Sequence, residues 1–186
     1  MMSKRDDILS ATLDLIDEEG LQSVTIAKIM KRANVGSGTL FNYFSNKEEL
    51  VNEVYKAARQ HMGEALLRNY NPGLSLYERF KCLQLNRLHF GLSSPKEFLF
   101  IDSYSYSPYI SADLRKMEDA SREIMLSLIE EGQTQGIFKE MDTHLSHQII
   151  HGIMVSIVKG FIIQKYPLDG LQVQQTLEAC WKAIRV

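Results

Sequence analysis

Long hydrophobic runs, paired cysteines and strand-like alternation are all scarce in this 186-residue chain. The two cysteines, Cys82 and Cys180, stand far apart and form no CxxC pair, which excludes a disulfide framework and a zinc knuckle. No uninterrupted apolar run reaches the ~18 residues of a membrane span. The opening MMSKRDD has no signal-peptide core, so a cytoplasmic, reduced setting without a membrane partner is expected. A formal charge of −2 offers no chain-wide attraction for nucleic acid; any such partner must be attracted locally. Strand-type alternation is confined to 103–107, where Pro108 and helical flanks argue against a sheet. What remains is an all-α protein, large enough for one well-cored domain or a small module plus a larger one.

Helical periodicity runs through nearly the whole chain. Ser3 with Asp6 opens a capped segment that places Ile8, Ala11, Leu15 and Ile16 on one face, and Gly20 supplies a stop. Thr25 caps a short helix, IAKIMKRA, ended by Asn34, which tolerates left-handed backbone. A third helix covers about 37–44. Ser45-Asn46-Lys47-Glu48 reads as the capping box of a fourth, which reaches about Leu67. Beyond Asn71-Pro72-Gly73 come helices over Leu74–Leu92, Ile110–Gln135, Thr143 to about Lys165, and Leu171–Val186. A bent aromatic segment, KEFLFIDSYSYSPY, sits between the first two.

The segment VGSGTLFNYFSNKEEL mixes turn residues, aromatics and a cation. Ser37 lacks the G-x-S-x-G spacing of a nucleophile elbow, and no G-x-x-x-x-G-K-[ST] phosphate loop is present. A helix-turn-helix accounts for the mixture: helix 25–33, a tight turn at Asn34-Val35-Gly36, and a second helix whose N-terminal residues meet base edges. Val35, Leu40 and Phe44 become apolar pegs, while Thr39, Asn42 and Tyr43 stay on the outer face. Gly36 and Gly38 let backbone approach a phosphate. Residues 25–47 hold Lys28, Lys31, Arg32 and Lys47 and no acid, a local charge of +4 in a chain of −2. Lys47 opposes the dipole at a helix start, a cost that a nearby phosphate relieves.

With these pieces in place, residues 8–54 resemble the tetracycline-repressor (TetR) family of bacterial one-component regulators. The matching elements are I8-L9-S10-A11 with the Gly20 stop, T25-I26-A27, A33-N34-V35, G38-T39-L40-F41-N42-Y43-F44 and K47-E48-E49-L50. The resemblance implies a three-helix DNA-binding head over 1–48, and a helical ligand-binding and dimerisation domain over 49–186. Thr25, Tyr43 and Lys47 would hold phosphates, with Lys28 beside them, and Thr39, Asn42, Ser37 and Gly38 would approach base edges. Three positions depart from the pattern. Asn34 replaces a glycine, Gly36 stands where a capping serine is common, and Phe41 replaces a tyrosine that would reach a phosphate.

The rest of the chain carries weaker signals. Ile149, Ile153 and Ile157 line one side of the 143–165 helix and Met154, Val158 and Phe161 another. A monomer would struggle to cover both, so a homodimer is expected, with Gly152, Ser156 and Gly160 as a small-residue ridge. Phe98, Phe100, Tyr104, Tyr106 and Tyr109, with Asp102, could wall a pocket for a small organic effector, or be core aromatics with satisfied hydroxyls. His144, His147 and His151 share a helical face. No cysteine joins them, so polar lining, as at His147 and His151, or an interface role is expected rather than a metal site, and no cofactor is implied. Asp102, Asp113, Glu118 and Glu123 have no nucleophile to orient, so no enzyme is expected. The expected protein is a homodimeric, ligand-relieved repressor on a near-palindromic duplex operator. The alternative is a helical small-molecule-binding or enzymatic protein with a structural N-terminal bundle.

Overall fold

The computed structural model describes residues 3–117 and 119–186. In chain order the helices are α1 (Lys4–Glu19), α2 (Ile26–Ala33), α3 (Ser37–Tyr43), α4 (Lys47–Leu66), α5 (Leu76–Ser93), α6 (Pro95–Tyr104), α7 (Ala112–Arg115), α8 (Ala120–Thr134), α9 (Thr143–Gln164) and α10 (Gly170–Ile184). The architecture is all-α. One isolated bridge, between Phe138 and Arg185, is the sole β-type pairing among the described residues.

Local chemistry explains most helix ends. Ser3 and Asp6 form a reciprocal capping box on α1. Gly20 follows α1 at φ 77, ψ 151, a conformation open almost only to glycine. Thr25 caps α2 through the Lys28 amide, and Asn34 ends it at φ 51, ψ 53. Three expectations need correction. The start of α4 is capped by Asn46, whose Oδ1 accepts from the Glu49 amide at 2.8 Å, while Glu49 reaches back to the Ser45 amide. The KEFLFIDSY stretch is helical, as α6. The single helix expected over 110–135 is instead two, because the Asp119 carboxylate accepts from the Ser121 and Arg122 amides and starts α8 afresh.

The described residues form two compact units, 3–61 with 96–117, and 62–95 with 119–186. In the first, Ile8, Leu21, Ile29, Leu40 and Leu50 are wholly buried, with Phe44, Tyr55 and Phe100 among them. Each such side chain contributes roughly 1.5–3 kcal/mol by leaving water, before the entropy of ordering it is subtracted. In the second, α5, α8, α9 and α10 pack on one another. Gly91 of α5 sits so close to α9 that a Cβ there would lie 2.4 Å from Val158 Cγ1.

Among the described residues one helix, α9, is long and apolar enough to cross a membrane. Its polar residues, among them His147, His151, Ser156 and Lys159, interrupt the apolar ones, so no continuous run shows in the sequence. Only 28% of its apolar window is buried within the chain. Ile157 and Phe161 are 36% exposed and Ile163 60%.

Candidate nucleic-acid interface

Helices α2 and α3 form the expected helix-turn-helix. The left-handed Asn34 turns the chain, and the Val35 amide donates back to the Met30 carbonyl at 3.1 Å. Leu40 and Phe44 then point into the core at 0% and 1% exposure and fix the rotation of α3. That rotation leaves Ser37, Gly38, Phe41 and Asn42 in solvent, with Thr39 half-buried and Tyr43 exposed at the end of the helix. Phe41 is 52% exposed. Gly36 begins α3 without any side-chain cap, so the first amides of the helix lack the hydroxyl acceptor that a serine would bring.

The cations are less free than their sequence window suggested. Lys28 Nζ lies 2.5 Å from Glu19 Oε2 and 3.1 Å from the Ser23 carbonyl. Arg32 grips Glu18 with both terminal nitrogens, at 2.9 and 2.6 Å. Thus the last turn of α1 supplies the acids missing from 25–47, and the local charge of +4 is partly neutralised. These pairs are exposed and worth little, so a phosphate can compete for either cation. Lys31 is exposed. Thr25 uses its oxygen as an acceptor from the Lys28 amide at 3.3 Å, which leaves its O–H to donate.

Lys47 is half-buried at the first position of α4. Its ammonium donates to the Leu21 carbonyl at 2.8 Å and lies 5.0 Å from the centroid of the Tyr109 ring. Burial pushes its pKa down. The dipole cost expected to call for a phosphate is therefore met inside the protein, by a carbonyl and an aromatic face.

The residues expected around an effector fall in different units. In the first, Phe98 is buried, Asp102 half-buried, and Tyr106 89% exposed. The Tyr104 hydroxyl accepts from the Leu21 amide at 3.3 Å, and its ring packs 5.6 Å from that of Phe100. In the second unit the rings of His147 and His151 lie 5.9 Å apart. His147 is 8% exposed, and its pKa is pushed down to about 4 by burial first, then by Arg87, His151 and Arg122, against an opposing Asp119. His144 instead places Nδ1 3.4 Å from Arg122 Nη2, an unfavourable neighbour for a dication. Asp113 and Glu123 are exposed, and Glu118 lies outside the described residues.

Two polar residues of the second unit carry no motif in the sequence. Gln84 is 1% exposed, with Oε1 unpartnered and Nε2 4.0 Å from Met125 Sδ. Arg87, one turn on, has its pKa pushed down by desolvation, with Asp119 and Cys180 opposing the shift. The available signal was a glutamine and an arginine at i, i+3 on the helical face that continues to Leu88 and Gly91.

Known proteins share this architecture. Residues 8–54 match the family model described as bacterial regulatory proteins, tetR family. Residues 75–185 match a second, described as tetracyclin repressor-like, C-terminal domain. The HTH-type transcriptional regulator YhgD of Bacillus subtilis is 26% identical over 177 residues, covering 92% of this chain and 91% of that one. The fatty acid metabolism regulator protein of the same organism is 27% identical over 171 residues, covering 88% and 87%. In fold, the chain is similar to a TetR-family transcription regulator from Marinobacter aquaeolei VT8, with a TM-score of 0.87 at 19% identity over 98% of this chain and 95% of that one.

Proposed function

The chain belongs to the TetR family of bacterial regulatory proteins, and from that premise we propose a ligand-relieved repressor that binds a near-palindromic operator as a homodimer. As a family member it is a transcriptional regulator with a helix-turn-helix DNA-binding domain, not an enzyme. Under this reading residues 1–48 form the DNA-reading head and 49–186 the sensing and dimerising part, in the bacterial cytoplasm.

The observation that carries the reading is the rotation of α3. With Leu40 and Phe44 buried, Ser37, Gly38 and Asn42 project outward from its first turns, as major-groove contact requires. Thr39 flanks them, and Thr25, Lys28, Tyr43 and Lys47 surround this strip as phosphate contacts. The homodimer is supported by the uncovered apolar side of α9, where Ile157, Phe161 and Ile163 accompany the small residues Gly152, Ser156 and Gly160. A twofold mate buries that side against its own copy.

For the effector, α5 carries the buried Gln84 and half-buried Arg87 and α9 the buried His147 and half-buried His151, with Arg87 and His151 both acting on the His147 ring, a polar group suited to one end of a small molecule. The relative named for fatty acid metabolism regulation supports an apolar compound of that kind. Phe98, Tyr104 and Tyr106, with Asp102, lie in the other unit. Relief follows as a population shift: the effector prefers a dimer whose two recognition helices are wrongly spaced for one face of the duplex.

Selection of genomic fragments by the purified protein tests this reading. The expected outcome is enrichment of a short inverted repeat, bound with steep salt dependence. Enrichment of no sequence, with salt-independent binding, overturns it.

A further inference from the structure

The backbone of Leu21 is held on both sides, through the N–H of one peptide plane and the carbonyl of the next. Its N–H donates to the Tyr104 hydroxyl at 3.3 Å, and its carbonyl accepts from Lys47 Nζ at 2.8 Å. The side chain of Leu21 is itself wholly buried. It follows Gly20, whose missing Cβ would lie 3.7 Å from the same Tyr104 oxygen. Tyr109 completes the arrangement with its ring 5.0 Å from the Lys47 ammonium.

Tyr109 is in turn tied down. Asn52 of α4 donates to the Tyr109 carbonyl at 2.8 Å and accepts from the Ser111 amide at 2.8 Å. Arg115 donates to the Ile110 carbonyl through Nη2 at 2.7 Å and Nε at 3.0 Å. The segment after α6 is thus fastened to α4 one turn beyond Lys47, and it holds an aromatic face where that cation needs one.

An ammonium has three donors. The Leu21 carbonyl takes one, which leaves donors for a phosphate without breaking the internal bond. A lysine free in solvent would pay side-chain entropy on binding DNA, and this one is already ordered. We infer that Tyr109 and Tyr104 are positioning residues for DNA binding, Tyr109 by holding the Lys47 ammonium at the phosphate-facing start of α4 and Tyr104 by anchoring the backbone of Leu21, whose carbonyl that ammonium meets. The inference depends on the DNA-binding reading above and adds to it two residues distant in sequence from the helix-turn-helix.

The test uses the full-length protein, the selected operator and a scrambled duplex, titrated over a series of salt concentrations. The variants are Lys47→Ala, Tyr109→Leu, Tyr104→Phe and the double variant Lys47→Ala/Tyr109→Leu, each also melted thermally. Tyr109→Leu keeps apolar bulk and removes the π-face. It is expected to weaken both duplexes by about two- to fivefold. It should also flatten the salt dependence toward that of Lys47→Ala, by up to about one phosphate per subunit. The double variant should bind no more weakly than Lys47→Ala alone, since both changes remove the same contact. Tyr104→Phe should speed exchange of the Leu21 amide and weaken both duplexes.

Losses that multiply in the double variant, or a wild-type salt slope in Tyr109→Leu, overturn the positioning role. A merely destabilised Tyr109→Leu gives that multiplicative result, so a lowered melting temperature does not blur the answer. Failure of the DNA-binding reading is separately visible, because the wild type would then bind neither duplex before any variant is compared.

Discussion

Lys47 reaches back across 26 positions to donate a 2.8 Å hydrogen bond to the Leu21 carbonyl, joining the start of α4 to the turn that precedes α2. A cation at a helix N-terminus is locally unfavourable, by ~0.3–1 kcal/mol when exposed. Here the Leu21 carbonyl and the Tyr109 ring offset that cost from within the head.

Substitutions in the head should separate into two kinds. Lys47→Ala is expected to weaken operator and scrambled duplex alike and to flatten the salt dependence by about one phosphate per subunit. Asn42→Ala and Thr39→Ala should instead narrow the gap between the two duplexes, because base contacts carry the sequence information. Competition titrations at matched salt distinguish these outcomes; equal losses for all three variants would reassign the reading residues.

Phe41→Tyr should raise affinity without disturbing the fold. The ring is 52% exposed on the outer strip of α3, so an added hydroxyl meets solvent rather than core. A hydrogen bond to phosphate contributes roughly 0.5–1.5 kcal/mol when partly exposed, and two subunits double it. The expected gain is at least about fivefold, on scrambled duplex as well as operator. Unchanged affinity at an unchanged melting temperature would place Phe41 away from the backbone.

The uncovered side of α9 makes assembly testable without DNA. Sedimentation should show a dimer at micromolar concentration, and Phe161→Glu should shift it toward monomer by placing a charge against its symmetry mate. A wild-type monomer would refute the proposed assembly.

Acid should weaken the second unit through His147. Its pKa falls to about 4 in the folded chain, from 6.5 unfolded, so the unfolded state binds the proton more readily. Stability from this group is therefore full above pH ~6.5 and declines as pH falls toward ~4, by an amount on the order of 2–3 kcal/mol. Denaturation of wild type and His147→Gln between these limits measures it. The variant should lose much of the slope, and identical slopes would show that other groups set the acid response.

Much of the fold was legible because its determinants are local. Caps act over three or four residues, as Ser3 with Asp6, Thr25 with Lys28 and Asn34 with Met30 show. The burial of Leu40 and Phe44 likewise follows from helical period and turn length, so the exposed strip of α3 could be read from the sequence. The break between α7 and α8 was hidden, since apolar period continues through it and the Asp119 cap resembles an ordinary surface acid.

What tertiary structure alone decided are pairings between segments that the chain order keeps apart. Glu18 and Glu19 lie outside the acid-free window but fold against its cations. Tyr104, 83 positions beyond Leu21, accepts from that amide through its hydroxyl oxygen. The sequence by itself determined most of the helices, their inward faces and the cationic window of the head, because each depends on near neighbours and solvent. Which charge meets which, and what each aromatic hydroxyl touches, depend on the faces that two helices bring together, and no local pattern encodes that choice.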